Sequence, residues 1–161
     1  GEPPLPGLHC AVVIPAYREP HVIRTLECLY ACARPAFHVE VIVGPNRPAS
    51  ADPETIEQSR EMTAAASTWA DGHQDPSFRF LVMPEQVFPD RDAGVGLARK
   101  TGMDQALARF NTLDVAGGMI LCLDADCLCD PAYFTALEAT LSAYPRTRGV
   151  NIRFEHRPAG R

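Results

Sequence analysis

The segment HCAVVIPAYREPHVIRTLECLYAC (residues 9–32) contains the two hydrophobic patterns that decide the fold. Its first part, HCAVVI (9–14), is an apolar run that ends at Pro15, which is typical of a strand buried on both faces. In its second part (21–32), apolar residues recur three or four positions apart, which predicts an amphipathic helix. These residues are Val22, Ile23, Leu26, Leu29 and Tyr30. The segment therefore predicts a β-strand followed by an α-helix.

The alternation of strand and helix patterns continues along the chain. Further strands are predicted at VEVIV (39–43), FRFLVM (78–83), MILCL (119–123) and 150–154, and further helices at 53–70, 97–110 and 131–143. Asp52 and Asp130, each followed by a proline, are expected to cap the helices after them. MILCL is entirely apolar and is expected to be a central strand. Because such an alternation packs as a parallel sheet with helices on both faces, the sequence predicts an α/β fold.

Composition restricts the class of protein. With 161 residues, 46% hydrophobic and 22% charged, the whole chain (1–161) is expected to form one domain with a single core. Because it begins with Gly rather than Met, it is expected to be a truncated part of a longer protein. A net charge of −5 argues against a nucleic-acid-binding surface, which is normally basic. No apolar run is long enough to span a bilayer, and no signal peptide is visible.

The six cysteines lack the paired C-x2-C spacing of a zinc site. Cys10 and Cys122 lie inside apolar runs and are expected to be buried, as free cysteines commonly are. Reduced thiols are the default, so we expect a cytoplasmic protein, or one at the cytoplasmic face of a membrane if the full-length protein has an anchor.

Two carboxylates follow the MILCL strand in MILCLDADCLCD (119–130). Asp124 and Asp126 are two positions apart, so in extended geometry both side chains point to the same side. Neighbouring acids repel unless positive charge lies between them, and a divalent cation shared with substrate phosphate oxygens removes that repulsion. In parallel sheets ligands bind beyond the carboxyl ends of the strands. The pair therefore favours a metal-binding function over an ordinary acidic loop.

The segment RDAGVGLARKTGMDQA (91–106) is a weaker signal. Gly94 and Gly96 precede a helix that carries Arg99 and Lys100. Glycines allow close approach of a ligand, and a helix N-terminus favours an anion. Taken alone, the segment is better explained as a glycine-rich loop with solvated basic side chains.

The segment IPAYREP (14–20), at the end of the first strand, is open to two interpretations. Tyr17 can stack on a flat base, and Glu19 can accept hydrogen bonds from the base or from a ribose. Alternatively, Tyr17 packs on the following helix and Glu19 caps that helix.

In combination, IPAYREP, LARKTGMDQAL and LDADCLCDP resemble family 2 glycosyltransferases of the GT-A fold. Those enzymes typically show a strand ending in P-x-Y-N-E, then a G-x-x-x-A-R-N-x-G helix, then D-A-D. The resemblance covers essentially the whole chain and implies a Rossmann-like three-layer sandwich with a mostly parallel central sheet. It implies a metal-assisted, inverting, hexosyltransferase-like enzyme that passes a sugar from a nucleotide-sugar donor, expected to be UDP-linked, to an acceptor that the sequence does not identify.

The resemblance also implies roles for individual residues. Pro15, Tyr17 and Glu19 would line the pocket for the nucleotide's base and ribose, and Arg99 would hold the nucleotide side of the site. Asp124 would lie near the ribose and diphosphate.

The same resemblance implies a metal cofactor. Asp126 would be the main protein ligand of a Mg²⁺ or Mn²⁺ ion, with Asp124 beside it.

The sequence departs from the family pattern in three places. Asn46 stands near the end of the second strand, where the family has an aspartate that contacts the base, and Asn46 is the expected substitute. Lys100 replaces an asparagine and adds a charge near the expected phosphates. The E-D motif that supplies the catalytic base is missing, and neither Glu155 nor His156 is assigned that role.

Two other functions remain as alternatives. The missing base is compatible with a non-catalytic nucleotide-sugar-binding domain. A haloacid-dehalogenase-like phosphatase also uses a D-x-D motif, with its first aspartate as nucleophile, but it is expected to carry that motif after the first strand.

Overall fold

The computed structural model describes residues 2–155, and this part of the chain folds into five strands and four helices. The strands are β1 (Leu8–Ala16), β2 (His38–Pro48), β3 (Phe78–Val82), β4 (Gln86–Phe88) and β5 (Met119–Cys122). The helices are α1 (Val22–Tyr30), α2 (Pro53–Gly72), α3 (Val95–Thr112) and α4 (Tyr133–Ala143).

The strands form a sheet in the order β3-β2-β1-β5, in which every neighbouring pair is parallel. The short β4 pairs in parallel with the last residues of β2. The predicted α/β fold with a mostly parallel central sheet is confirmed. Because the strands run in one direction, β1, β2 and β5 all end at one edge, at Ala16, Pro48 and Cys122; we call this the carboxyl edge.

Alternate residues of β1 face opposite sides of the sheet and meet different helices. Val12 and Ile14 belong to a core shared with α1, α2 and the start of α4. Ala11 and Val13 belong to a second core shared with α3, through Phe110 among others. The sheet is therefore covered on both faces, and the predicted three-layer arrangement is confirmed.

Helix α3 lies close against β1 at Gly102. A Cβ atom added to Gly102 would lie 2.3 Å from Val13 Cγ1, well inside van der Waals contact. Glycine is therefore required here so that the backbone of α3 can approach the sheet.

The predicted cap of α2 is confirmed. The Asp52 carboxylate accepts hydrogen bonds from the Thr55 backbone N–H at 2.8 Å and from the Thr55 hydroxyl at 2.9 Å, with Pro53 in the first turn. These hydrogen bonds stabilise the charged form and lower the pKa of Asp52. By contrast, Asp130 does not cap α4: its carboxylate accepts from Ala132 N–H in the turn before the helix, and Ala132 occupies the N-cap position.

Three strand predictions need correction. β5 is the edge strand of the described sheet rather than a central one, so Cys122 is exposed instead of buried, whereas Cys10 is buried as expected. An apolar run indicates a strand but does not tell how many neighbours it has. Residues 150–154 alternate in hydrophobicity but form no strand, so this prediction is wrong. β4 was missed because its three residues follow a proline-containing loop.

Among residues 2–155, no helix is both long enough and apolar enough to cross a membrane.

Candidate functional site

The residues singled out by the sequence lie at the carboxyl edge, as expected for a parallel sheet. Tyr17 follows the end of β1, Asn46 lies in the last part of β2, and Asp124 and Asp126 follow β5. The chain thus delivers an aromatic ring, an amide and two carboxylates to one edge of the sheet.

A cavity of about 430 Å³ lies at the ends of β1 and β2; we call it the Tyr17 cavity. It brings together three residues expected to bind the donor, Pro15, Tyr17 and Asn46. Its other walls come from the end of β2, the loop before α3 and the start of α3, and consist of Arg47, Pro48, Ser50, Asp90, Ala93, Gly94 and Val95. Sequence reasoning missed Arg47, Ser50 and Asp90, because β2 continues through a Gly-Pro-Asn-Arg-Pro stretch that has the composition of a turn.

Tyr17 is 46% exposed, so its ring faces the cavity instead of packing on α1. Arg18, the next residue, has a φ of 49° in the left-handed region, which is uncommon for a residue other than glycine. Beyond this bend, Glu19 lines a separate cavity against α2. Its carboxylate accepts a hydrogen bond from His21 N–H at 2.9 Å, at the start of α1. This hydrogen bond goes to the residue before the helix and does not cap the first turn of α1, so neither the capping contact of Glu19 nor the packing contact of Tyr17 in the alternative interpretation is made.

Asn46 is buried, and both of its amide hydrogens are oriented by the backbone. Its Nδ2 donates to Ala16 O at 3.2 Å and to Gly44 O at 3.1 Å. Because two carbonyls can be satisfied only by the NH₂ group, the amide oxygen is directed away from them. Within the described part of the chain that oxygen receives no protein donor, so Asn46 presents the cavity with a hydrogen-bond acceptor.

The polar walls of the Tyr17 cavity are held in place by charged contacts. Arg47 Nε lies 2.9 Å from Glu85 Oε2, and the other Glu85 oxygen accepts a short hydrogen bond from the Ser59 hydroxyl. Asp90 accepts from Ser50 N–H at 2.9 Å, and this hydrogen bond lowers the pKa of Asp90. The cavity is therefore built by cross-links between β2, α2 and the loop before α3.

Arg99, in the second turn of α3, contacts the carboxylate that follows β5. Its Nη2 lies 2.7 Å from Asp124 Oδ1, whereas its buried Nε has no acceptor within residues 2–155. Lys100 instead pairs with Asp104 one turn later on the same helix. Of the two basic residues, only Arg99 reaches the carboxylates.

The carboxylates lie in a turn of residues 124–127, which we call the acidic turn. β5 ends at Cys122, and Cys127 N–H donates to Asp124 O at 3.1 Å, so the expected extended geometry is wrong. Both carboxylates are exposed. Burial raises the pKa of the Cys127 thiol, and the adjacent Asp126 and Asp124 charges raise it further.

Asp126 lines a third, open cavity of about 640 Å³, together with Arg24 and the chain around Glu155. The Glu155 carboxylate lies 2.5 Å from Arg153 Nη2 and is largely exposed. His156 lies outside the described residues. Glu155 is thus held by an arginine.

The donor set of the acidic turn suits a hard divalent cation that takes most of its ligands from elsewhere. Among residues 2–155, no group of three or more His, Cys, Asp or Glu side chains converges as a complete metal site. Mg²⁺ and similar ions are often held by one or two carboxylates plus substrate phosphates and water. Asp126 and the second oxygen of Asp124 are two such exposed groups, so a cation shared with a phosphorylated ligand remains a prediction that fits this turn.

Comparison with protein-family models finds no match, and comparison with curated proteins finds none either. Among solved structures, the fold is similar to Staphylococcus aureus TarS. The TarS 1–349 structure matches with a TM-score of 0.52 and 17% identity over 90% of this chain. The complex of TarS 1–349 with UDP-GlcNAc matches with a TM-score of 0.51 and 16% identity over 93% of this chain.

The chain spans about two fifths of the TarS 1–349 structures, 39% and 37% of their lengths. At this level of identity the similarity shows the fold alone. The chain shares the α/β fold of these TarS structures, and the α/β fold expected from its sequence is confirmed.

Proposed function

We propose that this chain is the nucleotide-sugar-binding part of a glycosyltransferase of the inverting, metal-assisted type, with a UDP-linked donor. The observation that carries the proposal is the arrangement at the carboxyl edge, where the Tyr17 cavity, Arg99 and the acidic turn lie along the ends of neighbouring strands. The similarity in fold to TarS, one structure of which contains UDP-GlcNAc, supports it.

The Tyr17 cavity is the proposed site of the base. The exposed Tyr17 ring offers a stacking face, and the Asn46 oxygen offers one acceptor. Uracil has an N–H group at N3, which can donate a hydrogen bond to this oxygen. Cytosine has an acceptor at N3 and cannot make the same hydrogen bond. The polarity of Asn46 therefore favours UDP over CDP.

The acidic turn and Arg99 are the proposed site of the diphosphate. Arg99 holds Asp124 by one oxygen, which keeps that side chain in place while its second oxygen and Asp126 stay free. A bound Mg²⁺ or Mn²⁺ would neutralise charge on the leaving diphosphate. The Arg99 side chain is 34% exposed, so its guanidinium also offers N–H donors and positive charge to a phosphate oxygen.

In the proposed transfer, an acceptor hydroxyl displaces the nucleoside diphosphate from the anomeric carbon. The hydroxyl must lose a proton, and we assign no residue of this chain to that role. For this reason a non-catalytic nucleotide-sugar-binding domain remains the second candidate. The phosphatase alternative is disfavoured, because the carboxylate pair follows β5 and not β1.

Isothermal titration calorimetry with UDP and Mn²⁺ tests the binding proposal. We expect Mn²⁺-dependent UDP binding, weaker binding of CDP by about tenfold or more, and loss of the Mn²⁺ dependence in Asp126→Ala. Asp71→Ala is the matched control, since Asp71 is an exposed carboxylate on α2, away from the acidic turn. No UDP binding, or binding unaffected by both EDTA and Asp126→Ala, would contradict the proposal.

Release of UDP from a UDP-sugar then separates the two candidates. A full-length protein that contains this chain should release UDP in the presence of an acceptor if it is a transferase. Binding without any turnover would favour the binding domain.

A further inference from the structure

Helix α1 carries a stripe of small polar side chains that faces the acidic turn. Thr25 and Cys28 are three positions apart and lie on one face of the helix, and Cys32 follows just after its end. Each of them forms a hydrogen bond with the backbone of residues 125–130, although about 100 positions separate the two segments.

The contact made by Thr25 is the shortest of the three. The Thr25 side chain is buried, with 1% of its residue surface exposed, and its hydroxyl donates to Ala125 O at 2.7 Å. Ala125 is itself buried and lies between the two carboxylates. The peptide that links Ala125 to Asp126 is thus fixed by a side chain of α1.

Cysteine thiols extend the attachment along the same face. The Cys28 thiol donates a hydrogen bond to Cys129 O at 3.2 Å, and its sulfur accepts one from Cys129 N–H at 3.1 Å. The Cys32 thiol lies 3.3 Å from Cys28 O and 3.5 Å from Asp130 O, so these two carbonyls share its single hydrogen. Burial raises the pKa of Cys32 to about 11, so its thiol stays protonated and is a donor at neutral pH.

These contacts matter because the carboxylates themselves are exposed and have few partners. Of the two, Asp124 is paired with Arg99, and the described structure gives Asp126 only a long 3.9 Å contact from the Cys127 thiol. The direction of each carboxylate is set mainly by the backbone of the acidic turn, and that backbone is fixed by α1. A cation bound by both carboxylates needs their oxygens at a defined separation.

We propose that Thr25, assisted by Cys28, is a positioning residue that sets the separation of the Asp124 and Asp126 carboxylates and thereby the affinity for the divalent cation. The inference rests on the proposed function. Thr25 touches neither cation nor nucleotide and acts through the Ala125 carbonyl.

The test uses two substitutions at one position. Thr25→Val keeps the shape of the side chain and removes the hydroxyl, which leaves the buried Ala125 carbonyl without its donor. Thr25→Ser keeps the hydroxyl. Thr63→Val is the matched control, because the Thr63 hydroxyl is bonded within α2, to Ser59 O at 2.8 Å.

Three measurements are made on each variant: the Mn²⁺ affinity at saturating UDP, the UDP affinity in EDTA, and amide hydrogen exchange of residues 123–130 without metal. For Thr25→Val we expect Mn²⁺ affinity to fall by about 10–100-fold, the usual range for residues that orient metal ligands. We expect faster exchange in the acidic turn and an unchanged UDP affinity in EDTA. Thr25→Ser and Thr63→Val should behave as the wild type.

A Thr25→Val protein with wild-type Mn²⁺ affinity overturns the inference. So does a parallel loss of Mn²⁺ affinity and of UDP affinity in EDTA, because that pattern indicates general damage to the fold. If Thr25→Val does not fold, Cys28→Ala replaces it, with a smaller loss of Mn²⁺ affinity expected and the same criteria. Failure of the proposed function is recognised separately, since the wild type then shows no Mn²⁺-dependent UDP binding.

Discussion

Helix α3 carries an arginine near each end, and the two arginines make ion pairs at opposite edges of the sheet. Arg109 meets Glu40, near the start of β2, where both side chains are almost fully buried. Arg99 meets Asp124 at the carboxyl edge, where the side chains are 34% and 60% exposed. The same residue types on one helix are therefore placed in two different dielectric environments.

The buried pair is saturated with partners. Both Glu40 oxygens are bonded to Arg109, and Glu40 Oε1 also accepts from Leu5 N–H at 2.8 Å. Arg109 additionally donates to the carbonyls of Glu2 and Pro3, at 3.0 and 3.2 Å. Such a pair has no capacity left for a ligand, and its role is to fix the N-terminal segment against the sheet.

The exposed pair, by contrast, leaves part of its hydrogen-bonding capacity unused. It has a single contact, one free carboxylate oxygen and one guanidinium nitrogen without an acceptor in the described structure. The comparison teaches that unused hydrogen-bonding capacity, more than the presence of charge, distinguishes a candidate ligand site from a structural ion pair.

The largest expected effect is on the buried pair. Glu40→Gln removes the charge that balances Arg109 inside the core, and loss of one partner from a buried pair costs about 3–5 kcal/mol of unfolding free energy. Urea denaturation followed by circular dichroism measures this loss. The control is Glu57→Gln, which breaks an exposed pair with Arg60 and should cost about 0.5 kcal/mol or less. Equal losses in the two variants would show that burial does not distinguish the pairs.

The next prediction concerns Gly102, which lies between the two arginines on α3. A Cβ at Gly102 would collide with Val13, so Gly102→Ala should destabilise the fold by about 1–3 kcal/mol, as overpacking of a core does. Gly96→Ala is the control, since a Cβ there meets open space and alanine favours a helix, which gives a gain of up to about 1 kcal/mol. Opposite signs in thermal unfolding are expected. A neutral Gly102→Ala would show that α3 can move away from β1 without cost.

Local patterns predicted much of this scaffold. The apolar run of β1 and the helical spacing in α1 are each formed by residues close together in the sequence, so both elements can be predicted from local sequence alone. The Asp52 cap is local in the same sense. The prediction failed where structure depends on distant partners: β2 continues through Gly44 and Pro45 because the end of β1 pairs with them. Alternating hydrophobicity at residues 150–154 did not lead to a strand.

The candidate site was predicted in its residue types but not in its contacts. The order of the motifs indicated Tyr17, Arg99, Asp124 and Asp126, and all four lie at or near the carboxyl edge. The contact of Arg99 with Asp124 joins residues 25 positions apart, and the contact of Thr25 with Ala125 joins residues 100 apart. The hydrophobic periodicity of the sequence does not predict such contacts, because they form only when the helices pack on the sheet.

The smallest expected effect on stability is at the exposed pair. Arg99→Ala should change the unfolding free energy by less than about 1 kcal/mol, because a solvent-exposed ion pair is screened by water. Binding should respond differently: with the guanidinium removed, Asp124 loses its only charged partner in the described structure and the diphosphate loses a donor, so affinity for UDP with Mn²⁺ should fall. Arg99→Lys should recover part of that affinity, since it restores the charge without the planar fork. Urea denaturation and calorimetry on the same preparations measure both quantities. A variant as unstable as Glu40→Gln, or one that binds UDP and Mn²⁺ as the wild type does, would remove the distinction between the two arginines.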